Sequence, residues 1–319
     1  AALQAGLAGE AQLAALAYLH ALAASDAACD QLLQQVELPL SLRQPGAKAA
    51  AVLGDIERAL KRRLGFALPS DGKFKDWTRN AAAYEVWLGR AGGGAPTKVR
   101  VRGGSRTQSA FDLDGSLLTG GRVWAGSLLL MRWIASLEAE RAACLGAGPV
   151  LELGSGIGIV GIALAKMGRR VVLSDREPML LEQIQENIEA NHVKDRCRVL
   201  KFDWADAGKP QLRRALASQR FTAVVGADVV YEEETARLIA GVLRRALPQG
   251  GVAVFANGHK FRRGIEAFRP TLVEAGFEVT STTIPVGDVL QRLVCGDFEP
   301  EQEYSMCVAR VPPEEICVN

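Results

Sequence analysis

The strongest constraint on the fold is a change of grammar at Gly120. From there on, short apolar runs alternate with helical patterns. The order is PVLELG, a helix to Met167, RVVLSD, a helix from Pro178 to about Asn191, CRVLKFD, a charged helix, FTAVVGAD, a helix through Leu247, GVAVFAN, and a helix ending near Gly276. Strands separated by helix-length crossovers pair in parallel, with the helices covering both faces of the sheet. Pro178 stands where a helix tolerates proline in its first turn, and Gly168 and Gly276 stand where helices stop. The end breaks the alternation. FEVTSTTIP and EYSMCVARV are two strand patterns with no helix between them, which predicts an antiparallel hairpin at the sheet edge. Their link, VGDVLQRLVCGDFEPEQ, is long and is placed to cover part of a site.

The first part of the chain reads differently. From residue 1 to about residue 90, Leu13, Leu16 and Leu19, then Val52, Ile56 and Leu60, recur near helical spacing, with LPLSLRQPG as an interruption. AGGGAP at 91–96 is a loop. TKVRVRGG then sets Lys98, Arg100 and Arg102 against Val99 and Val101, the mark of an edge strand with one wet, basic face. A solvated edge accounts for that face more simply than an acidic partner does. VWAGSLLLMRWIASLE reads as a helix. The expected division is a mainly helical N-terminal region with an edge strand over 1–115 and an α/β domain over 116–319.

Composition narrows the functional classes. Of 319 residues, 48% are hydrophobic and 23% charged, an ordinary balance for a globular protein. The net charge of +2 gives no strong pull toward nucleic acid or a membrane surface, so neither is expected as a partner. No apolar run approaches the length of a membrane span. The Ala-rich start contains Glu10 and no early positive charge, so it fits a helix better than a secretory signal. Six cysteines (Cys29, Cys144, Cys197, Cys295, Cys307, Cys317) lack CxxC spacing, and three histidines (His20, His192, His259) lie far apart. No metal is expected, and reduced cysteines suit the cytoplasm, or the nucleus. The chain is expected to act as a monomer.

The densest local signal is Val150-Leu151-Glu152-Leu153-Gly154-Ser155-Gly156-Ile157-Gly158. An apolar strand runs into three alternate glycines and then a helix, so backbone N–H groups and the helix N-terminus would face a ligand at close range. The stretch also spells the dinucleotide pattern Gly156-x-Gly158-x-x-Gly161, a weak signal alone. The acid at the end of the next strand discriminates. Asp175 follows Gly161 at a short interval for a dinucleotide site, and follows Glu152 at one that suits a compact S-adenosylmethionine (SAM) loop. Its carboxylate would accept both ribose hydroxyls. Glu152 would hold the ammonium of the methionine part, directly or through water. At the third strand end, Asp203 would bond the adenine amino group and Trp204 would stack on or wall the ring. The competing reading makes Asp203 a loop acid beside a core indole.

The fourth strand ends in Gly226-Ala227-Asp228-Val229-Val230-Tyr231. Together with VWAGSLLL, LELGSGIG, NIEAN at 187–191 and FDW, this resembles methyltransferase family 16, a group consisting largely of seven-strand protein-lysine methyltransferases; members similar to elongation factor 2 lysine methyltransferase also have an N-terminal extension. The resemblance spans about residues 120–285. It implies a seven-stranded, Rossmann-like class I methyltransferase sheet ending in an antiparallel hairpin, SAM as cofactor, and a protein substrate methylated on lysine. It also implies SAM contacts at Trp124, Gly154, Ser155, Gly156, Asp175, Trp204 and Ala227, with Gly158 completing the loop. Asp228 and Tyr231 would lie beside the transferring methyl group, Asp228 orienting the amine and Tyr231 with Trp124 walling the channel. The alternatives are a small-molecule N-methyltransferase, a SAM-binding interaction protein without turnover and, more remotely, a nicotinamide-dependent oxidoreductase. The competing reading of Asp228 is a helix N-cap. Two further details differ or stay open. Members often carry an acid, Pro or Ala after the tryptophan, where the run here is Trp124-Ala125-Gly126-Ser127, which leaves the substrate-side geometry open. His259-Lys260-Phe261-Arg262-Arg263 is read as a solvated helix start.

Overall fold

A computed structural model describes residues 66–67, 83–87, 98–103, 119–135, 145–259, 262–284 and 303–313. Near-continuous apolar runs make the strands β4 (Val150–Leu153), β5 (Val171–Asp175), β7 (Ala223–Ala227) and β8 (Val252–Gly258), each buried along most or all of its length. With β6 (Cys197–Lys201), β9 (Glu278–Ile284) and β10 (Tyr304–Arg310) they form one seven-stranded sheet in the order β6-β5-β4-β7-β8-β10-β9. Pairing is parallel from β6 to β8. β10 is antiparallel to both β8 and β9, which is the edge hairpin that the sequence predicts.

The helices divide between the two faces, as alternating crossovers require. Apolar residues of α1 (Ala125–Ala135), α2 (Ile159–Lys166) and α3 (Pro178–Ala190) share one core with the sheet. Those of α4 (Pro210–Gln219), α5 (Glu233–Ala246) and α6 (Gly264–Glu274) build the other. Pro178 does open α3, and Gly168 and Gly276 take left-handed φ of 91° and 86° where helices end. The strand order reverses between β4 and β7. In such sheets the crevice beyond the carboxyl ends of the strands, at that reversal, is where ligands bind.

One expectation for the N-terminal region needs correction. Residues 66–67 and 83–87, read as part of a helical stretch, are strands β1 (Phe66–Ala67) and β2 (Ala83–Trp87). AYEVW is too short to show a helical stripe, and its aromatic and β-branched residues suit a paired strand. These strands and β3 (Lys98–Arg102) form a separate antiparallel sheet in the order β1-β2-β3. The helical patterns near Leu13–Leu19 and Val52–Leu60, and the link at 286–302, lie outside the described residues. β3 alternates as expected, with Val99 and Val101 buried and Arg100 and Arg102 exposed.

The free edge of β3 is not left to water. Two buried asparagines one turn apart, Asn187 on α3 and Asn191 at its C-cap, replace a neighbouring strand. Asn187 Oδ1 accepts the Arg102 N–H at 2.8 Å while its Nδ2 donates to the Arg102 carbonyl at 2.9 Å. Asn191 accepts the Arg100 N–H at 3.0 Å and donates to the Arg100 carbonyl. Asn187 Nδ2 also donates to the Ile157 carbonyl at 2.9 Å, which ties this edge to the glycine loop. Buried amides that satisfy backbone groups in this way stabilise by about 1 kcal/mol per bond and cost more than that when removed.

Candidate active site

The site assembles at the carboxyl ends of β4, β5, β6 and β7. After β4 the chain turns through Gly154, Gly156 and Gly158, with φ of 61°, 55° and 85°. These are left-handed values that favour glycine. Space is as restrictive as conformation: a Cβ on Gly154 would lie 2.7 Å from Val229, and one on Gly156 would lie 2.7 Å from the Gly120 carbonyl oxygen. Ser155 locks the turn to β5. Its N–H donates to the Ser174 carbonyl at 2.9 Å, and its Oγ accepts the Ser174 N–H at 3.0 Å.

Asp175 ends β5 with its carboxylate turned to the glycine loop. Oδ2 accepts the Gly156 N–H at 2.9 Å and Oδ1 accepts the Glu177 N–H at 3.2 Å. Burial holds its carboxyl above the usual range, opposed by the N–H groups of Gly156, Glu177 and Arg176. A carboxylate offers about four acceptor positions, so these N–H groups do not exhaust its capacity for a ligand donor. Trp204, half-buried, sits over the same turn: its ring lies 3.3 Å from where a Gly154 Cβ would be. Asp203 faces a competing local task, since its Oδ1 accepts the Ala205 N–H at 3.0 Å and caps the short 3-10 turn Trp204–Gly208.

Glu152 lies beneath the loop rather than at its mouth. It is 3% exposed, and its Oε2 accepts the Gly161 N–H at 3.0 Å. Burial pushes its carboxyl up to about 8, against hydrogen bonds from Ser155 and Gly161, with the Asp175 charge adding to the rise. The third glycine of the dinucleotide spelling thereby has a packing reason. A Gly161 Cβ would stand 2.5 Å from Glu152 Oε2 and 2.6 Å from Leu173.

On the other side of the sheet reversal, Ala227 ends β7 and Asp228 follows with φ of 56°, a left-handed conformation rarely held by a non-glycine residue. The Asp228 N–H donates to the Ala256 carbonyl at 2.7 Å. Its side chain is 3% exposed. Oδ2 accepts the Gly126 N–H at 2.6 Å, and Oδ1 accepts the Gly258 N–H at 2.8 Å. Arg262 Nη2 stands 3.2 Å from Oδ1. The helix-cap reading of Asp228 does not hold: α5 starts at Glu233, and its N-cap Glu232 makes no side-chain cap bond. Gly126 also finds its reason here, because a Cβ there would collide with the Asp228 carboxylate.

Sequence reasoning missed Arg262. It was expected on a solvated helix start, yet its side chain is 7% exposed. Its guanidinium carbon lies 5.2 Å from the centroid of the Tyr231 ring and 5.5 Å from that of Trp124. The opposite partner of Trp124 is Arg122, 3.3 Å from the ring centroid, and the indole N–H donates to the Thr119 carbonyl at 3.1 Å. Tyr231 is 42% exposed, so the aromatic wall is open on one side. The basic run after β8 was the available signal, but only the fold shows which of its members turns inward. Among the described residues no group of His, Cys, Asp and Glu is arranged to hold a metal ion, and no helix is long and apolar enough to cross a membrane.

The fold and the glycine turn together define a class I methyltransferase sheet. Residues 111–268 match the lysine methyltransferase family model. EEF1A lysine methyltransferase 3 of Mus musculus is 33% identical over 159 residues, 50% of this chain and 64% of that protein. Protein N-lysine methyltransferase METTL21A of Mus musculus is 27% identical over 161 residues, covering 50% and 68%. Protein-lysine N-methyltransferase EEF2KMT of Homo sapiens is 34% identical over 157 residues, 45% of each chain. The matched segment thus spans between about half and two thirds of these relatives.

Proposed function

We propose that this chain transfers a methyl group from SAM to a lysine side chain of a protein substrate. The observation that carries the reading is the Asp175 carboxylate at the end of β5, fixed against the Gly156 N–H of the glycine turn. Two adjacent donors on a ribose are the ligand feature that such a carboxylate suits. The glycine turn at Gly154 to Gly158 lies under Trp204 and holds left-handed backbone at all three glycines, the form of turn whose N–H groups can face a ligand. SAM, when bound, would supply a sulfonium methyl carbon that a nitrogen lone pair attacks, the N–C bond forming as the C–S bond breaks and its electron pair leaves on sulfur.

The residues of this chain divide the work. Asp175, Trp204 and the loop N–H groups hold and orient the donor. Glu152 supports the loop from beneath through Gly161. Asp228 fixes Gly126, Gly258 and Arg262 around the acceptor side, so its role is positioning. Trp124 and Tyr231 wall the entry, and the exposed side of Tyr231 suits a side chain carried by a protein better than an enclosed small amine. Most of the rate gain would come from alignment of nitrogen and methyl. We further propose a monomer acting in the cytoplasm.

The test is incubation of the purified protein with tritiated SAM and cell lysate. A discrete labelled protein band, absent with Asp175→Ala, supports the reading. Turnover on small amines with no labelled band overturns it in favour of a small-molecule enzyme.

A further inference from the structure

A carboxylate beside an acceptor amine creates a chemical problem. Lysine attacks only as the neutral amine, its ordinary pKa is about 10.4, and a nearby negative charge raises that value further. An unpaired Asp228 would therefore hold an incoming lysine in its unreactive form. The structure carries a solution. The Arg262 guanidinium is 3.2 Å from Asp228 Oδ1, and Gly258 and Gly126 donate to the two carboxylate oxygens at 2.8 and 2.6 Å. The cation is enclosed between Tyr231 and Trp124, at 5.2 and 5.5 Å from the ring centroids. That is the seat a lysine ammonium would otherwise take, with a carboxylate at its base and π faces at its sides. Arg262 Nη1 is buried and has no hydrogen-bond partner, so a donor remains in this seat that nothing in the described protein fills.

We infer that Arg262 is a specificity-determining residue that occupies the cation seat of Asp228, so that the acceptor is admitted to the methyl-transfer position as a neutral amine. This rests on the proposed transfer to an amine. Arginine suits the task because its own charge is permanent and its planar group can lie between two rings. Other charged groups among the described residues border the seat. Arg122 lies on Trp124, Asp175 interacts with Tyr231, and His259 at the end of β8 faces Glu303 and Glu266. Burial lowers the His259 pKa, opposed by the charges of Glu303 and Glu266.

The test uses the full chain, tritiated SAM and the lysate band, with initial labelling rates followed across pH at saturating SAM. Arg262→Met removes the charge and keeps much of the side-chain length. Its acid limb should move to higher pH by about one unit or more, the usual effect of an uncompensated charge at this range. Arg262→Lys should keep the wild-type limb. Asp228→Asn with Arg262→Met removes both charges and should bring the limb back toward wild type, and it keeps the test open if the single variant folds poorly. A labelled wild-type band with a uniform rate loss at every pH in Arg262→Met, or an unshifted limb alongside a shifted double variant, overturns the inference. A wild-type protein that labels nothing at any pH overturns the transfer reading instead.

Discussion

Replacing Asp175 by alanine separates the donor pocket from every other feature of the fold. Within the protein the carboxylate accepts the Gly156 and Glu177 N–H groups, and on the proposed reading it would also accept from the two hydroxyls of a ribose. A hydrogen bond to a charged acceptor contributes about 1.5–3 kcal/mol, so losing two costs about 3–6 kcal/mol. At about 1.4 kcal/mol per tenfold, the Kd for SAM should rise by about 10²–10⁴. The fold should tolerate the change, because Asp175 is only half-buried and water can serve the Gly156 N–H. Asp175→Asn keeps an acceptor and should lose about tenfold. Isothermal titration calorimetry with SAM measures the affinity, and far-UV circular dichroism with a thermal melt checks the fold. A Kd within about threefold of wild type in a folded Asp175→Ala protein would refute the reasoning.

Three further outcomes follow from the same geometry. Gly161→Ala should destabilise by about 1–3 kcal/mol in urea unfolding, since its Cβ would meet Glu152 at 2.5 Å and Leu173 at 2.6 Å; an unchanged midpoint would show that the loop has slack. Glu152 has a carboxyl raised from 4.5 to about 8, so its contribution to stability is full below pH 4.5 and is lost as pH rises toward 8. Glu152→Gln should therefore flatten the fall in stability between those limits and be the more stable protein at pH 8; parallel curves would contradict this. Asn187→Ala removes the bonds to Arg102 and Ile157, and should lower stability by about 1–3 kcal/mol while speeding hydrogen exchange at 98–103. Unchanged exchange there would mean that β3 is held by other contacts.

Much of the donor side was legible in the sequence because it is local. The glycine turn, its strand and its helix are contiguous, and Asp175 lies at the end of the next strand, where hydrophobic patterning alone fixes its position. The terminal hairpin was legible because no helical period separates its strands. The acceptor side was only partly legible. Trp124, Asp228 and Tyr231 stand in quotable motifs, but the burial of Arg262 depends on three segments meeting, and a basic run after a strand carries no mark of which member turns inward. Asp203 was ambiguous for a related reason: a short acid before a turn serves as a cap as readily as a ligand, and here it caps. Asn187 and Asn191 were visible only as part of a resemblance. Their spacing of one helical turn matches alternate residues of a strand, but recognising that required knowing that β3 lies beside α3. The strands at 66–67 and 83–87 were read as helical because short paired segments lack the length to display a period.

Where the methyl group lands decides whether lysine is the acceptor. Lysate proteins incubated with this chain and SAM bearing a deuterated methyl group can be digested and sequenced by tandem mass spectrometry. The account predicts the heavy methyl on the ε-nitrogen of lysine in a discrete protein, and its loss with Asp175→Ala. Heavy methyl on arginine or histidine, or on no protein at all while calorimetry shows SAM bound, would contradict it.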